Sequence, residues 1–201
     1  MVAEIIGNDP LGESVLETTL DARKRLLKKD ARFVPTRIRI FGLPVTIPQE
    51  EQTKRLPTRE NIQNWKAWYE ADFEPLLSAV GETERFFAKP ETARAWLPLA
   101  DPLLLAVIEP ASFEQLQIDT RQESVTHSSG ELSAVLVYFE LELAPGISLS
   151  THPHKCSEGN HWRNAVWSLM KPIYASAGER FSLRYAYRVP GTPNGIHFLP
   201  G

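Results

Sequence analysis

The sequence predicts a mainly β (α+β) fold, an antiparallel β-barrel or sandwich with a short N-terminal helix and a helical arm inserted between strands. The first observation is a series of short runs of alternating or β-branched residues, separated by Gly and Pro, which is typical of a sandwich or barrel. These runs cover residues 32–45, 102–109, 133–143, 165–175 and 180–189. The second is that helical spacing occurs only near the N-terminus and between the first two runs. The 201 residues, 42% of them hydrophobic, are enough to bury one core.

The N-terminal helix is predicted over residues 14–29 from the helical spacing of its apolar residues. Ser14 and Glu17 have the spacing of a capping box, in which each side chain accepts from a free backbone N–H at the helix start. Lys28 and Lys29 suit the negative end of the helix dipole.

The first strand, residues 32–45, is predicted to be broken by Gly42 and Pro44. The strongest strand is 133–143, in which two sets of residues alternate between opposite faces of the sheet. These sets are Leu136, Tyr138 and Glu140, and Val137, Phe139 and Leu141.

The helical arm is predicted over about residues 58–98, with Thr58 and Asn61 as capping candidates and a second short helix at 90–97. Its first helix has more aromatic residues than a surface helix needs. They are Trp65, Trp68, Tyr69 and Phe73. Two readings remain open: the aromatics pack back onto the chain's own barrel, or they form a surface for a partner.

Composition excludes several classes of function. A net charge of −3 gives no sign of a nucleic-acid partner. No apolar run is long enough for a membrane span. The first residues lack the basic and apolar regions of a signal peptide, and the single cysteine suits a reducing compartment, so we expect a cytoplasmic protein.

Histidines and the cysteine cluster in one segment, since His152, His154, Cys156 and His161 lie within ten residues. These are zinc ligand types, but the spacing does not match the paired motifs of structural zinc sites. The alternatives are a metal-binding barrel, whose zinc would be lost on substitution of His161 or Cys156, and solvated or site-lining loop histidines. We expect no metal ligand here.

Several segments in a fixed order resemble the C-terminal barrel of the protein arginine methyltransferases. The matching pieces are Tyr138-Phe139-Glu140, Leu149-Ser150-Thr151-His152-Pro153, His161-Trp162-Arg163, Val166-Trp167, Pro172 and Ala177-Gly178-Glu179. The aromatic segment 64–77 resembles the start of the family's dimerisation arm. Near the N-terminus, Glu4, Gly7 and Glu13 match the family's double-glutamate hairpin, in which the two acids are nine positions apart. The resemblance covers residues 4 to about 198.

The resemblance implies that Glu4 and Glu13 are catalytic residues that clamp an arginine guanidinium. Two carboxylates suit this planar, permanently charged group, and by drawing its positive charge they leave the attacking nitrogen richer in electrons. It also implies that His161 pairs with an acid and helps to order both glutamates, and that Trp162 forms an apolar wall of the substrate pocket. The alternatives are solvated acids, a satisfied histidine and a core tryptophan. Asn160 departs from the family, which has threonine there.

The resemblance implies S-adenosylmethionine as cofactor of a complete enzyme, but the sequence has no Gly-x-Gly turn for a Rossmann-type site. We therefore expect residues 1–31 to be the end of such a domain, residues 32–201 to form the barrel with its arm, and this chain alone to bind no cofactor and to be inactive. The implied partners are an arginine-containing protein, the missing domain and a second copy through the arm. The alternative is a non-catalytic protein-interaction module derived from the barrel.

Overall fold

The fold is mainly β with antiparallel sheets, which confirms the predicted fold class. A computed structural model describes residues 1–54, 57–79 and 81–199. Residue 80 of the predicted arm and residues 200–201 of the predicted barrel domain lie outside the described residues, as do residues 55–56.

The described residues form five helices and ten strands. The helices are α1 (Val15–Arg25), α2 (Gln49–Thr53), α3 (Arg59–Tyr69), α4 (Pro75–Ala79) and α5 (Pro90–Ala93). The strands are β1 (Arg37–Thr46), β2 (Thr83–Ala88), β3 (Leu97–Pro98), β4 (Leu103–Ile108), β5 (Ile118–Val125), β6 (Gly130–Ala144), β7 (Ile147–Ser150), β8 (Asn164–Ala175), β9 (Arg180–Tyr187) and β10 (Gly195–Leu199). No helix in the described parts of the chain is long and apolar enough to cross a membrane.

The strands form two sheets. The larger has the order β2-β8-β6-β1-β3, with β4 also paired to β1 and β7 to β6, and the smaller has the order β10-β9-β5. Strands β4 and β5 connect them, where the Thr120 hydroxyl donates to the Leu105 carbonyl over 2.6 Å.

Strand β6 is buried on both faces, so its alternating side chains enter two different cores. Val137 and Phe139 face the main core, between the sheets and against the N-terminal segment, whereas Leu136 and Tyr138 face a second core beneath α5. The predicted alternation of this strand is therefore confirmed. It places consecutive residues on opposite sides of one sheet.

Helix α1 differs from its prediction at both ends. Ser14 has φ 59° and makes no side-chain cap, so the predicted capping box is wrong. Glu17 instead pairs with Arg188 at 2.5 Å and lies 3.1 Å from the Tyr187 hydroxyl. A charged partner and a buried phenol replace the local backbone contact. The helix ends at Arg25 rather than at residue 29.

Strand β1 runs through Gly42 and Pro44, so the predicted break is wrong. A Cβ on Gly42 would lie 3.0 Å from Val135 and 3.1 Å from Leu105, so the glycine gives its neighbours room to pack rather than ending the strand. Pro44 falls between the last pairing with β4, at Gly42, and the first with β3, at Val45. Its missing N–H therefore costs no ladder hydrogen bond on that side.

The helical part of the arm is shorter than the range 58–98. Helix α3 begins as predicted, because the Thr58 side chain accepts from the Asn61 N–H over 3.1 Å. The second predicted helix shortens to α5, and β3 occupies the end of its range. Strand β2, which the prediction missed, returns the chain to β8 along the edge of the larger sheet.

Candidate functional site

The N-terminal loop, residues 4–13, lies against the loop that precedes β8. It contains a turn but no strand. The Trp162 indole Nε1 donates to the Ile6 carbonyl over 2.7 Å, and the Arg163 N–H donates to Asn8 Oδ1 over 2.6 Å. Two hydrogen bonds between groups more than 150 residues apart therefore fix this loop on the sheet that contains β8.

His161 and Glu4 face each other in this arrangement. The distance from His161 Nε2 to Glu4 Oε1 is 3.6 Å, and their side chains are 66% and 73% exposed. The imidazole stacks on the Trp162 indole, with centroids 4.1 Å apart and planes at 30°. The indole in turn meets Phe139 edge-on at 5.6 Å. Phe139 belongs to the main core, so two aromatic contacts connect the His161 ring, which faces the exposed Glu4, to that core.

Glu13 folds back onto Gly7 across the loop. A Cβ on Gly7 would lie 3.1 Å from both Cγ and Oε1 of Glu13. The φ of Gly7 is not in the left-handed region, so glycine is needed here for space. A larger residue would push the Glu13 side chain away from the loop.

The four site residues predicted from the sequence thus all lie on or against the N-terminal loop. His161 contacts Glu4 directly, Trp162 bonds to the neighbouring Ile6, and Glu13 packs against the same loop. Both carboxylates are exposed and face solvent. Two acids on one short loop beside an aromatic wall can bind a planar cation.

An ion pair that sequence reasoning missed anchors the middle of the loop. Arg85 Nη1 lies 2.6 Å from Asp9 Oδ2. The guanidinium also lies over the Phe87 and Trp167 rings, 5.5 Å from each centroid. No local signal connects these residues, because Asp9 and Arg85 are 76 positions apart. Burial, followed by the Asp9 charge, raises the pKa of Tyr185 well above its usual value.

A second anchor holds the end of the loop. The Tyr187 hydroxyl lies 3.2 Å from the Leu11 carbonyl and 3.1 Å from Glu17 Oε1. Burial raises the pKa of Tyr187, and the hydrogen bond to Glu17 acts in the same direction. The hydroxyl therefore remains a donor at neutral pH, and the junction between loop and α1 stays fixed.

The predicted histidine and cysteine cluster divides between two faces of β6. The His152 ring meets Tyr138 edge-on at 4.8 Å, on the side of the second core, and burial lowers its pKa. Cys156 Sγ donates to the Pro153 carbonyl over 3.4 Å. His161 lies on the other side, with Trp162 and Phe139. Among residues 1–54, 57–79 and 81–199, no three His, Cys, Asp or Glu side chains are grouped to hold a metal ion.

Comparison with known proteins finds arginine methyltransferases among the proteins similar to this chain. The chain is 26% identical over 189 residues to an arginine N(omega)-methyltransferase of Streptomyces achromogenes subsp. streptozoticus, covering 93% of this chain and 48% of the relative. It is 27% identical over 193 residues to protein arginine N-methyltransferase 2 of Xenopus tropicalis, covering 90% and 42%. No family model matches the chain.

The chain is similar to the protein arginine methyltransferases over nearly its whole length. This confirms the resemblance predicted from the sequence. The solved Trypanosoma brucei PRMT1 enzyme–prozyme heterotetrameric complex with AdoHcy has the same fold, with a TM-score of 0.72 and 24% identity. The match covers 98% of this chain and 62% of that one. The chain spans less than half the length of the curated relatives it matches.

The described residues do not fit an S-adenosylmethionine site of the Rossmann type. Such a site is a Gly-rich turn between a strand and a helix of a parallel sheet. All strand pairs in the described sheets are antiparallel, and the single parallel contact is an isolated bridge between Val2 and Val34.

Proposed function

We propose that this chain is the arginine-binding part of a protein arginine N-methyltransferase. Glu4 and Glu13 would bind the substrate guanidinium, His161 would hold Glu4 in place, and Trp162 would form the apolar wall beside it. The observation that carries the proposal is the docking of the N-terminal loop on the barrel, with the Trp162 indole bonded to Ile6 and His161 3.6 Å from Glu4.

The chemistry of the guanidinium explains why two acids suit this site. The group is always charged and presents its donors in a planar fork, so carboxylates bind it through paired, charge-assisted hydrogen bonds. Carboxylates that bind its far side draw positive charge away from the remaining nitrogen, which becomes the better nucleophile. Such positioning and electrostatic stabilisation contribute several kcal/mol once water is excluded from a site. Glu4 and Glu13 are exposed in this chain, so we expect their full effect only when another domain covers them.

The methyl donor would be bound elsewhere. The relatives are named as methyltransferases and the structural neighbour contains AdoHcy, which supports S-adenosylmethionine as the donor of a complete enzyme. We therefore expect this chain alone to bind neither S-adenosylmethionine nor AdoHcy and to transfer no methyl group. Micromolar binding of either compound to the purified chain in a calorimeter would contradict this expectation.

The natural substrate is an arginine residue of a protein in this proposal. The names of the relatives include both an arginine and a protein arginine methyltransferase, and the guanidinium is common to both substrates. Free arginine and an arginine-containing peptide should therefore be compared in every assay. Activity on free arginine but not on the peptide would support the guanidinium site and contradict the proposal of a protein substrate.

The test of the proposal is complementation. The chain is mixed with the separately expressed part of the Streptomyces relative that the match does not cover, together with labelled S-adenosylmethionine and an arginine peptide. We expect methyl transfer only from the mixture, and its loss with Glu13→Gln. Glu123→Gln on β5 removes the same charge from an exposed position outside the loop and should leave transfer unchanged.

The arm supports partner binding as a second part of the proposal. Trp68 and Tyr69 are 70% and 69% exposed, and Leu76 and Leu77 are 42% and 39% exposed. Trp65 and Tyr69 meet Phe73 within the arm, each at 6.0 Å. We propose that this exposed surface pairs with a second copy of the chain or with another methyltransferase subunit, in the cytoplasm.

A non-catalytic interaction module is the alternative function, and the exposed aromatic arm is the observation that favours it. It predicts that the chain binds a partner through α3 and α4 but supports no methyl transfer in the complementation mixture. It also predicts that Glu13→Gln has no effect on any binding reaction. The two functions therefore give opposite results with the same variants.

A further inference from the structure

Arg85 connects the edge of the larger sheet to the N-terminal loop. Its guanidinium pairs with Asp9 at 2.6 Å, and the Asp9 side chain is only 18% exposed. It also lies 5.5 Å from the centroids of Phe87 and Trp167, within the range of cation–π attraction. Two rings and one carboxylate thus restrain a side chain that is itself 43% exposed.

The position of Asp9 explains how its ion pair with Arg85 affects the loop. Asp9 lies between Gly7 and Glu13, and its carbonyl accepts from the Gly12 N–H over 2.8 Å in the turn that presents Glu13. A restraint on Asp9 is therefore a restraint on the turn. The other side of the contact is β2, which follows helix α4 of the arm and pairs with β8.

The rings beneath Arg85 belong to the same unit. Arg85 and Trp167 are paired positions of β2 and β8, and Phe87 is two residues further along β2. Trp162, which bonds to Ile6 of the loop, lies just before β8. The loop, β2, β8 and the segment just before β8 are thus held together by one ion pair, two cation–π contacts and the hydrogen bonds from the Trp162 indole and the Arg163 N–H.

We infer that Arg85 is a positioning residue, which holds the N-terminal loop on the barrel through Asp9 and so sets where Glu13 and Glu4 meet a guanidinium. The effect on guanidinium binding rests on the proposed function, whereas the anchoring of the loop does not. Arg85 touches neither predicted carboxylate and acts only through the loop.

The experiment measures hydrogen exchange of the Trp162 indole N–H by NMR, because this group is bonded to Ile6 of the loop. In Arg85→Ala we expect the indole to exchange about fivefold faster, because the loop loses its ion pair with a guanidinium that the two rings hold in place. Asp9→Asn should give a smaller change in the same direction. The amide of Leu136, fully buried in β6, reports global opening and should exchange much more slowly than the indole, because the loop opens without unfolding of the sheets.

Two further variants separate anchoring from general destabilisation. Arg184→Ala removes the Asp119 ion pair, which joins neighbouring strands of the smaller sheet at 2.7 Å and does not touch the loop, so Trp162 exchange should stay at the wild-type rate. Arg85→Lys keeps the charge and should recover part of the protection. Unchanged Trp162 exchange in Arg85→Ala would overturn the inference, as would an equal acceleration of Trp162 exchange in Arg184→Ala.

The same samples then test the link to function. An arginine peptide should bind the wild-type chain and bind Arg85→Ala more weakly, with an apparent Kd that rises by the ratio of the two docked fractions of the loop. If the wild-type chain binds no arginine peptide, the proposed function fails while the exchange rates still decide the role of Arg85. If the docked fraction falls but the apparent Kd does not rise with it, the anchor stands and its positioning role is rejected.

Discussion

Replacement of Trp162 is the sharpest single test of how the site is held together. Trp162→Phe keeps an aromatic ring against Phe139 but removes the Nε1–H that donates to the Ile6 carbonyl over 2.7 Å. A part-buried hydrogen bond contributes about 1 kcal/mol, so the free energy of unfolding should fall by about that amount. Trp162→Ala also loses the edge contact with Phe139 and part of the apolar burial, which brings the expected loss to about 3 kcal/mol.

The assay is urea unfolding of the purified chain, followed by circular dichroism, for the wild type and both variants. Trp68→Phe is the matched control, because that indole is 70% exposed and makes no part of the loop contact. Its free energy of unfolding should stay within about 0.5 kcal/mol of the wild type.

The reasoning is refuted if Trp162→Phe is as stable as the wild type, because the indole bond would then contribute nothing. It is equally refuted if Trp162→Phe loses as much as Trp162→Ala. In that case ring packing would not be separable from the bond to the loop.

Three further outcomes follow from the geometry. Burial lowers the pKa of His152 below 6.5, so as pH falls the imidazole takes up a proton in the unfolded chain before it does so in the folded one. The free energy of unfolding should therefore decline as pH falls from 6.5 toward the lowered pKa. Unfolding measured at pH 7 and at mildly acidic pH should show a flatter decline in His152→Asn. Gly195→Ala would put a Cβ 2.1 Å from the Trp167 ring and should cost about 3 kcal/mol or more in thermal unfolding, whereas Gly146→Ala, with open space around it, should cost about 1 kcal/mol. Trp68→Ser should leave the free energy of unfolding within about 0.5 kcal/mol but reduce self-association in sedimentation, and association equal to the wild type would exclude Trp68 from the contact.

The local sequence pattern was sufficient to predict elements that carry a regular apolar spacing or a capping residue. Strand β6 has apolar residues on both faces, and α3 begins at a Thr58 side chain that caps it. Strand β5 was missed because its alternation is polar: its sequence IDTRQESV is half-buried on one face and exposed on the other. Strand β2 was missed because it lies inside a segment with helical neighbours on both sides.

Tertiary contacts override local signals where side chains find distant partners. Glu17 has the spacing of a capping box with Ser14, yet it pairs with Arg188 instead. Asp9 and Arg85 carry no mutual signal in sequence, although they anchor the loop. The residues of the candidate site were found only by resemblance, since no periodicity connects two acids near the N-terminus to a loop nearly 150 residues later.

The central claim is that the N-terminal loop and barrel together bind a guanidinium, and an NMR titration with matched peptides tests it most directly. An arginine peptide should shift the Trp162 indole resonance, and a peptide with lysine in its place should shift it much less, because an ammonium lacks the planar fork. Glu13→Gln should weaken binding of the arginine peptide about tenfold, because one charge-assisted pair is lost, whereas Glu123→Gln should leave binding unchanged. Equal shifts with both peptides, or unchanged affinity in Glu13→Gln, would contradict the account.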